Sequence, residues 1–396
     1  MKHIAMYIGS LVKGGAERVM CNLAEYFFTQ GYRVTFVTTY LGQEEYDVPH
    51  AGWKIEKTEG FRELTVLDPD DHEQKVYLSD SSNAICRVFT ALPLSDRGGR
   101  ISNFRKREKI LRDTWKELRP DVILSFLGKN NIMAIKTARG LGIPVVASVR
   151  SNPSREYESK SLYFSMRYYF PKAAGVVVQT TEAAQYFGEK VKTRILPNSI
   201  HPDFIKREIV PYDDRAKEIV TVGRLDDNKN QILLIKAFKK IEKEFLDYRL
   251  VIYGDGEKRQ AYEKEASERV FFEGRVSDVP DKIASAEVFV LTSKQEGYPN
   301  ALIEAMALGL VCISTDCPCG GPRDLIENGK NGILVPMGED DEMVQDLADK
   351  LTCVLTNRDF AGKMAAEAVR VRDDYNPDII NRKWKEYLEE VISSAI

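Results

Sequence analysis

The stretch Ile219-Val220-Thr221-Val222-Gly223 joins a short apolar run to a glycine, and the polar loop Arg224–Asn230 and a helical pattern from about Asn228 to Phe245 follow. A short apolar run closed by a turn residue predicts a buried strand, and apolar residues at a period near 3.6 predict a helix. Further β runs at 249–253, 271–272, 288–291, 311–314 and 332–335 accompany helical patterns at 299–307, 340–355 and 360–369. This alternation predicts a parallel, doubly wound α/β sheet with right-handed crossovers.

The first half of the chain shows the same alternation. Ile4–Ile8 predicts a buried strand, Gly9–Gly15 a loop, Ala16–Thr29 a helix and Val34–Thr38 the next strand. Later strands are predicted at 122–125, 145–148, 176–179 and 194–196. The stretch from about 43 to 99 has weak periodicity and many Asp, Ser and Pro residues, and we expect an irregular insertion there.

A chain of 396 residues is too long for one core and suits about two domains. Prolines at Pro197, Pro202 and Pro211 mark the link between them. We therefore expect Rossmann-like domains over 1–200 and 201–375, and a C-terminal helix over 376–396 that packs back on the first domain. Open parallel sheets bind ligands at the carboxyl ends of their strands, so the expected site is a cleft that both domains face.

Composition excludes several classes of protein. Hydrophobic residues make up 43% and charged residues 30%, a globular balance rather than a disordered or collagen-like one. The sequence holds no uninterrupted apolar run of about 18 residues, and its first residues lack a secretory apolar region. We accordingly expect a cytoplasmic protein whose six cysteines are reduced thiols.

The formal net charge of −3 conceals a strong asymmetry. Residues 1–198 carry a net charge of +7 and residues 199–396 one of −10, while 97–198 alone hold 20 basic and 8 acidic residues. Aromatic and cationic residues alternate over 163–172. Such a segment favours a membrane surface, a nucleic acid or an anionic substrate as partner, although a solvated helix face explains any single basic residue equally well.

Two loops after predicted strands have the chemistry to hold phosphate. Gly14-Gly15 precedes a helix, whose free amides attract anions, but two glycines alone also make an ordinary tight turn. Arg224 and Lys229 flank the second loop, where a guanidinium fork, an ammonium and helix-end amides can hold a diphosphate. Two ordinary surface salt bridges are the alternative interpretation.

The strongest local pattern is Glu296-Gly297-Tyr298-Pro299-Asn300, with Glu304 four residues further on. Pro299 suits a first helical turn, which leaves Glu296 in the preceding loop and Glu304 inside the helix. Glu296 can accept hydrogen bonds from sugar hydroxyls, and Glu304 from a ribose diol. Complementing a helix dipole would account for Glu296 but not for Glu304, which lies among apolar residues.

The remaining motifs predict less. Gly254-Asp255-Gly256 is typical of a turn, and Cys317-Pro318-Cys319 has the wrong spacing for a zinc knuckle or a thioredoxin-type pair. The acidic loop 68–72 favours solvation over a cation site, and the four histidines form no Ser/His/Asp pattern. We expect no metal site.

Taken as a set, these elements closely resemble the family 4 retaining glycosyltransferases of the GT-B fold. The elements that carry the resemblance are Gly223-Arg224-Leu225 with Lys229, the Gly254 turn, Gly274-x-Val276, Glu296-x7-Glu304, Gly14-Gly15-Ala16-Glu17 and Pro197-Asn198-Ser199-Ile200. Together they span nearly the whole chain. The set is specific although each piece alone is not.

The resemblance implies a nucleotide-diphosphate-sugar donor held by the second domain, without a cofactor or metal. Arg224 and Lys229 would hold the diphosphate, Glu296 the sugar hydroxyls and Glu304 the ribose. The backbone near Val276 would face the base, and Gly14-Gly15 would close on the phosphates. The predicted donor-binding residues also include Gly223, Gly254, Gly297, Tyr298 and Asn300. Members of the family retain anomeric configuration, with the leaving phosphate oxygen accepting the acceptor proton.

One position departs from the family. Many members have a histidine after a first-domain strand, where this chain has Arg150 in Ser148-Val149-Arg150-Ser151. Arginine is not a base at neutral pH, so Arg150 is predicted to supply charge or position a substrate. The departure favours the branch that assembles bacterial surface polysaccharides, such as capsule or exopolysaccharide, or lipid-linked glycans.

We therefore expect a peripheral-membrane hexosyl- or N-acetylhexosaminyltransferase, with a UDP-sugar as donor and a lipid-linked or polysaccharide acceptor. Its expected location is the inner face of the plasma membrane, which the basic 97–198 segment would contact. A UDP-sugar epimerase of the same fold and a non-catalytic nucleotide-sugar-binding protein are the alternatives. No nucleic-acid-binding module accompanies the basic segment.

Overall fold

The computed structural model describes residues 1–79, 81 and 83–395. The chain divides into two compact units. Unit 1 comprises Met1–Val178, Ala184–Leu196 and Asn381–Ile396, and unit 2 comprises Gln179–Ala183 and Pro197–Ile380.

Unit 1 contains the first ten strands of the described chain. These are β1 (His3–Ile8), β2 (Arg33–Thr38), β3 (Trp53–Lys54), β4 (Phe61–Leu67), β5 (Glu73–Ser79), β6 (Cys86–Phe89), β7 (Val122–Phe126), β8 (Val145–Ser148), β9 (Gly175–Val178) and β10 (Thr193–Ile195). Seven of them form a parallel sheet in the order β10-β9-β8-β7-β1-β2-β6. All residues of β1, β7, β8 and β9 are buried, which explains why their apolar runs are continuous.

The helices associated with unit 1 connect these strands. They are α1 (Gly15–Thr29), α2 (Arg100–Leu118), α3 (Gly128–Ala138), α4 (Pro153–Glu156), α5 (Lys160–Tyr169) and α6 (Thr181–Phe187), with single 3₁₀ turns at Leu94–Asp96 and Phe170–Lys172. Helix α3 packs against α2 and α5. Helix α6 begins in residues of unit 2 and ends in unit 1.

The prediction of an irregular insertion over 43–99 is wrong. Strands β3, β5 and β4 form an antiparallel sheet, and β6 pairs in parallel with β2. Much of β4 and the first half of β5 is exposed or half-buried, so polar residues occupy the strands and the apolar pattern is weak. An exposed hairpin is stabilised by pairing between strands, which composition alone does not reveal.

Unit 2 contains a second parallel sheet, in the order β13-β12-β11-β14-β15-β16. Its strands are β11 (Ala216–Val222), β12 (Arg249–Tyr253), β13 (Val270–Gly274), β14 (Ala286–Leu291), β15 (Val311–Thr315) and β16 (Ile333–Val335). Ile219 and Val220 are neighbours on β11, yet they belong to two different buried clusters. Successive residues point to opposite faces of a strand, so both faces of this sheet are covered.

The helices associated with unit 2 lie before, between and after these strands. They are α7 (Pro202–Ile205), α8 (Gln231–Ile241), α9 (Arg259–Glu265), α10 (Val279–Ile283), α11 (Asn300–Ala307), α12 (Gly321–Leu325), α13 (Asp340–Thr356), α14 (Arg358–Ala368), α15 (Val371–Asp374) and α16 (Pro377–Ser394), with one 3₁₀ turn at Tyr212–Asp214. Helix α16 ends in unit 1, where Trp384 stacks on Phe126 at a ring-centroid distance of 6.2 Å.

Both parallel sheets confirm the α/β prediction. Numbered along the chain within each sheet, the strands of unit 2 follow the order 3-2-1-4-5-6, and unit 1 repeats it with one added strand. In this doubly wound topology the connections reverse between the first and fourth strands, and ligands bind beyond the carboxyl ends there. The topology therefore directs attention to the loops after β11 and β14 in unit 2, and after β1 and β7 in unit 1.

Candidate active site

The loop after β11 is shaped by Asp226. Its Oδ1 accepts hydrogen bonds from the backbone N–H groups of Asn228 and Lys229 at 3.0 and 2.8 Å, and its Oδ2 accepts one from Arg224 Nε at 2.7 Å. Burial raises the pKa of Asp226, but the Lys229 amide, Arg224 and the Asn228 amide outweigh it and leave this pKa lowered. The ionised carboxylate thus fixes the loop that presents both cations.

Lys229 and Glu296 form an ion pair at the point where the strand order reverses. Lys229 Nζ lies 2.5 Å from Glu296 Oε1, which also accepts a hydrogen bond from Ser293 Oγ at 2.5 Å. The side chains of Lys229 and Glu296 are only 24% and 12% exposed. A pair so shielded from water is electrostatically stronger than one on the surface, so each group holds the other in place.

Backbone contacts join the loop after β11 to the loop after β14. Lys294 N donates to Asn228 O at 2.7 Å, and Thr292 Oγ1 donates to Lys229 O at 2.9 Å. Asn228 Nδ2 donates to Gln295 O at 3.1 Å. These bonds fix the positions from which Lys229 and Glu296 extend.

Arg224 differs from Lys229 in its accessibility. Its side chain is 72% exposed while it pairs with Asp226, whereas Lys229 is largely enclosed. A guanidinium that is this accessible can bind an oxyanion from solution without breaking the loop, because Asp226 retains its two backbone bonds. The structure therefore places one accessible cation and one enclosed cation on a single loop.

Helix α11 carries the rest of the predicted motif. Tyr298 is buried beside Tyr375, with ring centroids 6.0 Å apart, and Pro299 is the N-cap. Asn300 Oδ1 accepts a hydrogen bond from Asn198 Nδ2 at 2.7 Å. Glu304 is half-buried and lies four residues after Asn300, on the same side of the helix, whereas Leu302 and Ile303 are buried.

The predicted glycines permit close packing of backbone. Gly254 has φ +139°, and a Cβ there would lie 1.8 Å from Gly223 O. Its N–H donates to Gly274 O at 2.7 Å, so the ends of β11, β12 and β13 are held together at this glycine. Gly297 is approached by Gly321, where a Cβ would lie 2.6 Å from Gly297 O. Val276 is half-buried against the same core as Val220.

In unit 1, Gly14 is the extended N-cap of α1, with φ −149°. A Cβ on Gly14 would lie 2.4 Å from Glu17 Oε2, whereas one on Gly15 would meet nothing within 4 Å. Tyr46 donates a hydrogen bond to Gly14 O at 3.1 Å. The space beside Gly15 is therefore open, as contact between a ligand and the helix-end amides requires.

Arg150 follows β8, as the sequence predicts. Its guanidinium carbon lies 5.5 Å from the ring centroid of Phe126, and its Nη1 donates to Leu196 O at 3.4 Å. The cation–π contact orients the side chain without neutralising its charge.

Sequence reasoning missed two groups near these positions. Ser293, which bonds Glu296, has no distinguishing pattern apart from following a strand by two residues. Glu156 lies on α4, six residues after Arg150, and accepts a hydrogen bond from Ser151 Oγ at 2.5 Å. Burial raises the pKa of Glu156 to about 7 against the opposing hydrogen bonds of Ser151 and the Gly128 amide and the charge of Arg150.

The structure thus brings Arg224, Lys229 and Glu296 together on two neighbouring loops of unit 2. Gly14, Gly15 and Arg150 belong to unit 1, and their roles toward a ligand stay predictions. The six cysteines all lie within the described residues, and the structure pairs none of them in a disulfide. Within the described residues there is no group of three or more His, Cys, Asp or Glu side chains placed to hold a metal ion. None of the described helices is long and apolar enough to cross a bilayer.

Two family models match most of the chain. Residues 13–204 match a model described as Glycosyltransferase Family 4, and residues 216–357 match one described as Glycosyl transferases group 1. The first covers the glycine loop and Arg150, and the second covers Arg224, Lys229 and the Glu296–Glu304 motif.

Relatives of known name support the same assignment. A "GalNAc-alpha-(1->4)-GalNAc-alpha-(1->3)-diNAcBac-PP-undecaprenol alpha-1,4-N-acetyl-D-galactosaminyltransferase" of Campylobacter jejuni is 29% identical over 398 residues, covering 99% of each chain. A lipopolysaccharide 1,6-galactosyltransferase of Salmonella typhimurium is 36% identical over 193 residues, which cover 46% of this chain and 49% of that protein.

Solved structures share the fold. HepE of Anabaena in complex with UDP has a TM-score of 0.73 at 18% identity, with 98% of this chain and all of that chain covered. The pneumococcal O-GlcNAc transferase GtfA, in complex with UDP and GlcNAc, has a TM-score of 0.69 at 17% identity, with 99% of each chain covered.

Proposed function

The chain belongs to the family 4 glycosyltransferases of the GT-B fold, and we propose that it moves a hexose or N-acetylhexosamine from a UDP-sugar to a lipid-linked or polysaccharide acceptor, with retention of configuration. The observation that carries the proposal is the arrangement of Arg224, Lys229 and Glu296 at the point where the strand order of unit 2 reverses.

The roles of these residues follow from their charge and accessibility. A departing nucleoside diphosphate develops negative charge, and a cation fixed in a water-poor site, as Lys229 is, stabilises that charge more than mobile solvent does. Arg224, at the accessible end of the loop, is suited to engage the diphosphate first. Lys229 is suited to meet the oxygen of the breaking bond, because Asp226 and Thr292 fix the backbone from which it extends.

Glu296 is suited to the donor sugar. An ionised carboxylate accepts hydrogen bonds from hydroxyls, and Ser293 and Lys229 already orient this one. When the diphosphate draws Lys229 toward itself, Glu296 gains capacity for sugar hydroxyls. Glu304 is the proposed ribose contact, because it lies further along the same side of α11. No metal is required in this scheme, since Arg224 and Lys229 supply the positive charge.

The acceptor is the second part of the proposal. The Campylobacter relative, by its name, acts on an undecaprenol-linked glycan, and its match covers 99% of this chain. Unit 1 carries the basic 97–198 segment and exposes Ile101 and Phe164, which are 73% and 67% accessible. Cations beside exposed apolar side chains suit an anionic membrane surface, so we place the protein peripherally at the inner face of the plasma membrane.

Turnover of UDP-sugars by the purified chain tests the proposal. We expect UDP release to depend on a lipid-linked acceptor and to fall with Arg224→Ala, while Lys217→Ala, at the opposite end of β11, retains wild-type turnover. Conversion of the UDP-sugar without acceptor would establish the epimerase alternative. Stabilisation by UDP-sugars without any turnover would establish the non-catalytic one, since ligand at 100 times its Kd stabilises by about 2.7 kcal/mol.

A further inference from the structure

A large groove in unit 1 lies outside the candidate active site described above, and Ile101 is among its lining residues. We call it the α2–α5 groove: it is bounded by α2, α3 and α5 and by the ends of β1, β2 and β6, and its volume is about 1290 Å³. It opens at the carboxyl edge of the sheet, where doubly wound folds bind ligands. Its volume exceeds the roughly 300–1,000 Å³ typical of small-molecule sites, so a ligand of more than one chemical part fits it.

Among the described residues, the charged side chains that line the groove are the cations Arg107, Lys129 and Lys136, without an aspartate or glutamate. Lys136 is neutralised by Glu108, whereas Lys129 is exposed and forms no ion pair with any residue that the structure describes. The net field in the groove therefore favours an anion.

Arg107 has a donor that is not satisfied. Its Nη2 donates to Tyr40 Oη at 2.6 Å, which fixes the guanidinium at the end of β2. Its Nε is shielded from solvent and has no hydrogen-bond partner among the described residues. A buried donor left unpaired destabilises the structure, and an oxyanion in the groove would satisfy it.

The wall formed by α2 is apolar at the surface. Ile101 and Phe104 both line the groove and are 73% and 49% exposed, and Met133 and Leu162 line it from α3 and α5. Exposed apolar side chains next to cations suit a ligand whose anionic group is attached directly to an apolar chain. A free sugar or nucleotide would leave this wall in contact with water.

We propose that the α2–α5 groove binds a polyprenyl phosphate or diphosphate, with Arg107 and Lys129 on the phosphate and Ile101 and Phe104 against the first isoprene units. This site rests on the proposed function, in which the acceptor is lipid-linked, and it defines which part of the acceptor unit 1 recognises. The groove thereby selects the carrier lipid and not the glycan.

Binding of farnesyl diphosphate to the full chain tests the proposal without donor or turnover. Calorimetry should show farnesyl diphosphate binding at least about tenfold more tightly than either inorganic pyrophosphate or farnesol. Only farnesyl diphosphate contacts both the cations and the apolar wall of the groove. Equal affinity for farnesyl diphosphate and pyrophosphate would overturn the proposal, since it would reduce the groove to a simple anion site.

Paired variants locate the binding. Arg107→Ala and Lys129→Ala should each weaken farnesyl diphosphate binding by about tenfold, the value of one charge-assisted phosphate contact. Arg105→Ala and Lys116→Ala remove cations from elsewhere on α2 and should leave this binding in solution unchanged. Phe104→Ser should weaken it, whereas Phe164→Ser, outside the groove, should not.

Two further measurements distinguish a loss of the binding site from a folding defect and from binding to a membrane surface. Tyr40→Phe removes the partner of Arg107 but retains the cation, so it should bind more tightly than Arg107→Ala if both variants fold with wild-type circular dichroism. Competition with vesicles of phosphatidylglycerol distinguishes a site for lipid headgroups from a site for a polyprenyl phosphate. If they abolish farnesyl diphosphate binding to the wild type, the cations serve the membrane surface and the proposal is overturned.

Measurements of binding and of sugar transfer together distinguish failure of the groove proposal from failure of the proposed function. Farnesyl diphosphate binding that depends on Arg107 and Lys129, in a chain that transfers no sugar, would retain the groove and overturn the transferase proposal. Transfer to a lipid-linked acceptor with an acceptor KM unaffected by Arg107→Ala and Lys129→Ala would support the transferase proposal and overturn the groove proposal.

Discussion

Units 1 and 2 share a strand order but differ in the chemistry of the loops where that order reverses. In unit 2, the loops after β11 and β14 bring Arg224, Lys229 and Glu296 into one hydrogen-bonded group. In unit 1, the loop after β1 leads to open space beside Gly15, and the cations of the α2–α5 groove lie on α2 and α3. The topology places loops at an equivalent sheet edge in both units, and the side chains on and beside these loops distinguish the two edges.

The two glycine loops offer the sharpest contrast. We expect Gly254→Ala to destabilise the protein by about 3 kcal/mol or more, since unfavourable φ and overpacking against backbone each cost about 1–3 kcal/mol. Gly15→Ala should change stability by no more than about 1 kcal/mol, in the stabilising direction, because its Cβ meets nothing. Urea unfolding measures both. Similar losses for the two variants would contradict the contrast between packed and open glycines.

Substitution of Glu296 tests whether the residues required for sugar transfer include the loop after β14 in unit 2. Glu296→Gln keeps the shape of the side chain but removes its charge, and we expect kcat with the cognate donor to fall about 100-fold or more. Glu263→Gln is the matched control, because Glu263 is an exposed carboxylate that pairs with Arg259 on the same unit. Stopped assays of UDP release give kcat for both. Unchanged turnover in Glu296→Gln would remove this residue from the proposed site.

Glu156 in unit 1 has a raised pKa, whereas Asp226 in the loop of unit 2 has a lowered one, so of the two only Glu156 contributes a loss of stability as pH rises. Its pKa is raised from 4.5 to about 7, so the folded protein binds more protons than the unfolded chain between these values. The free energy of unfolding should therefore fall as pH rises from 5 to 8, by up to about 3 kcal/mol at 1.4 kcal/mol per unit of pKa shift.

Comparison with Glu156→Gln isolates this contribution. The amide stays neutral, so the variant should match the wild type near pH 5 and exceed its stability near pH 8. Urea unfolding at the two pH values checks the difference. A gap between wild type and variant that stays constant with pH would show that Glu156 is ionised throughout.

How much the sequence predicts depends on where each element lies. Strand β12 is predicted at its observed bounds, Arg249–Tyr253, because four of its five residues are buried and the apolar run is continuous. Strands β4 and β5 were not predicted, because they are largely polar and are defined by pairing with each other. Apolar periodicity reveals burial, whereas antiparallel pairing on a surface leaves little trace in composition.

The candidate site likewise has a part that the sequence predicts and a part that it does not. The sequence pattern and the family resemblance identified Arg224, Lys229 and Glu296 as candidates, since each is part of a local motif. That Lys229 and Glu296 form an ion pair, with Ser293 on the same oxygen, depends on contact between segments 67 residues apart. The α2–α5 groove is likewise assembled from several segments that no single motif contains.

The smallest expected effect concerns the surfaces of the two units. Phe164 on unit 1 is 67% exposed within a segment of net charge +12, whereas Phe271 on unit 2 is 41% exposed in the acidic half of the chain. Phe164→Ser should lower partitioning onto anionic vesicles about fivefold, which corresponds to roughly 1 kcal/mol of partial apolar burial. Phe271→Ser should leave partitioning unchanged, because an acidic surface is repelled by the same lipids. Flotation at low salt compares the two, and an equal loss in both variants would mean that membrane contact is not a property of unit 1.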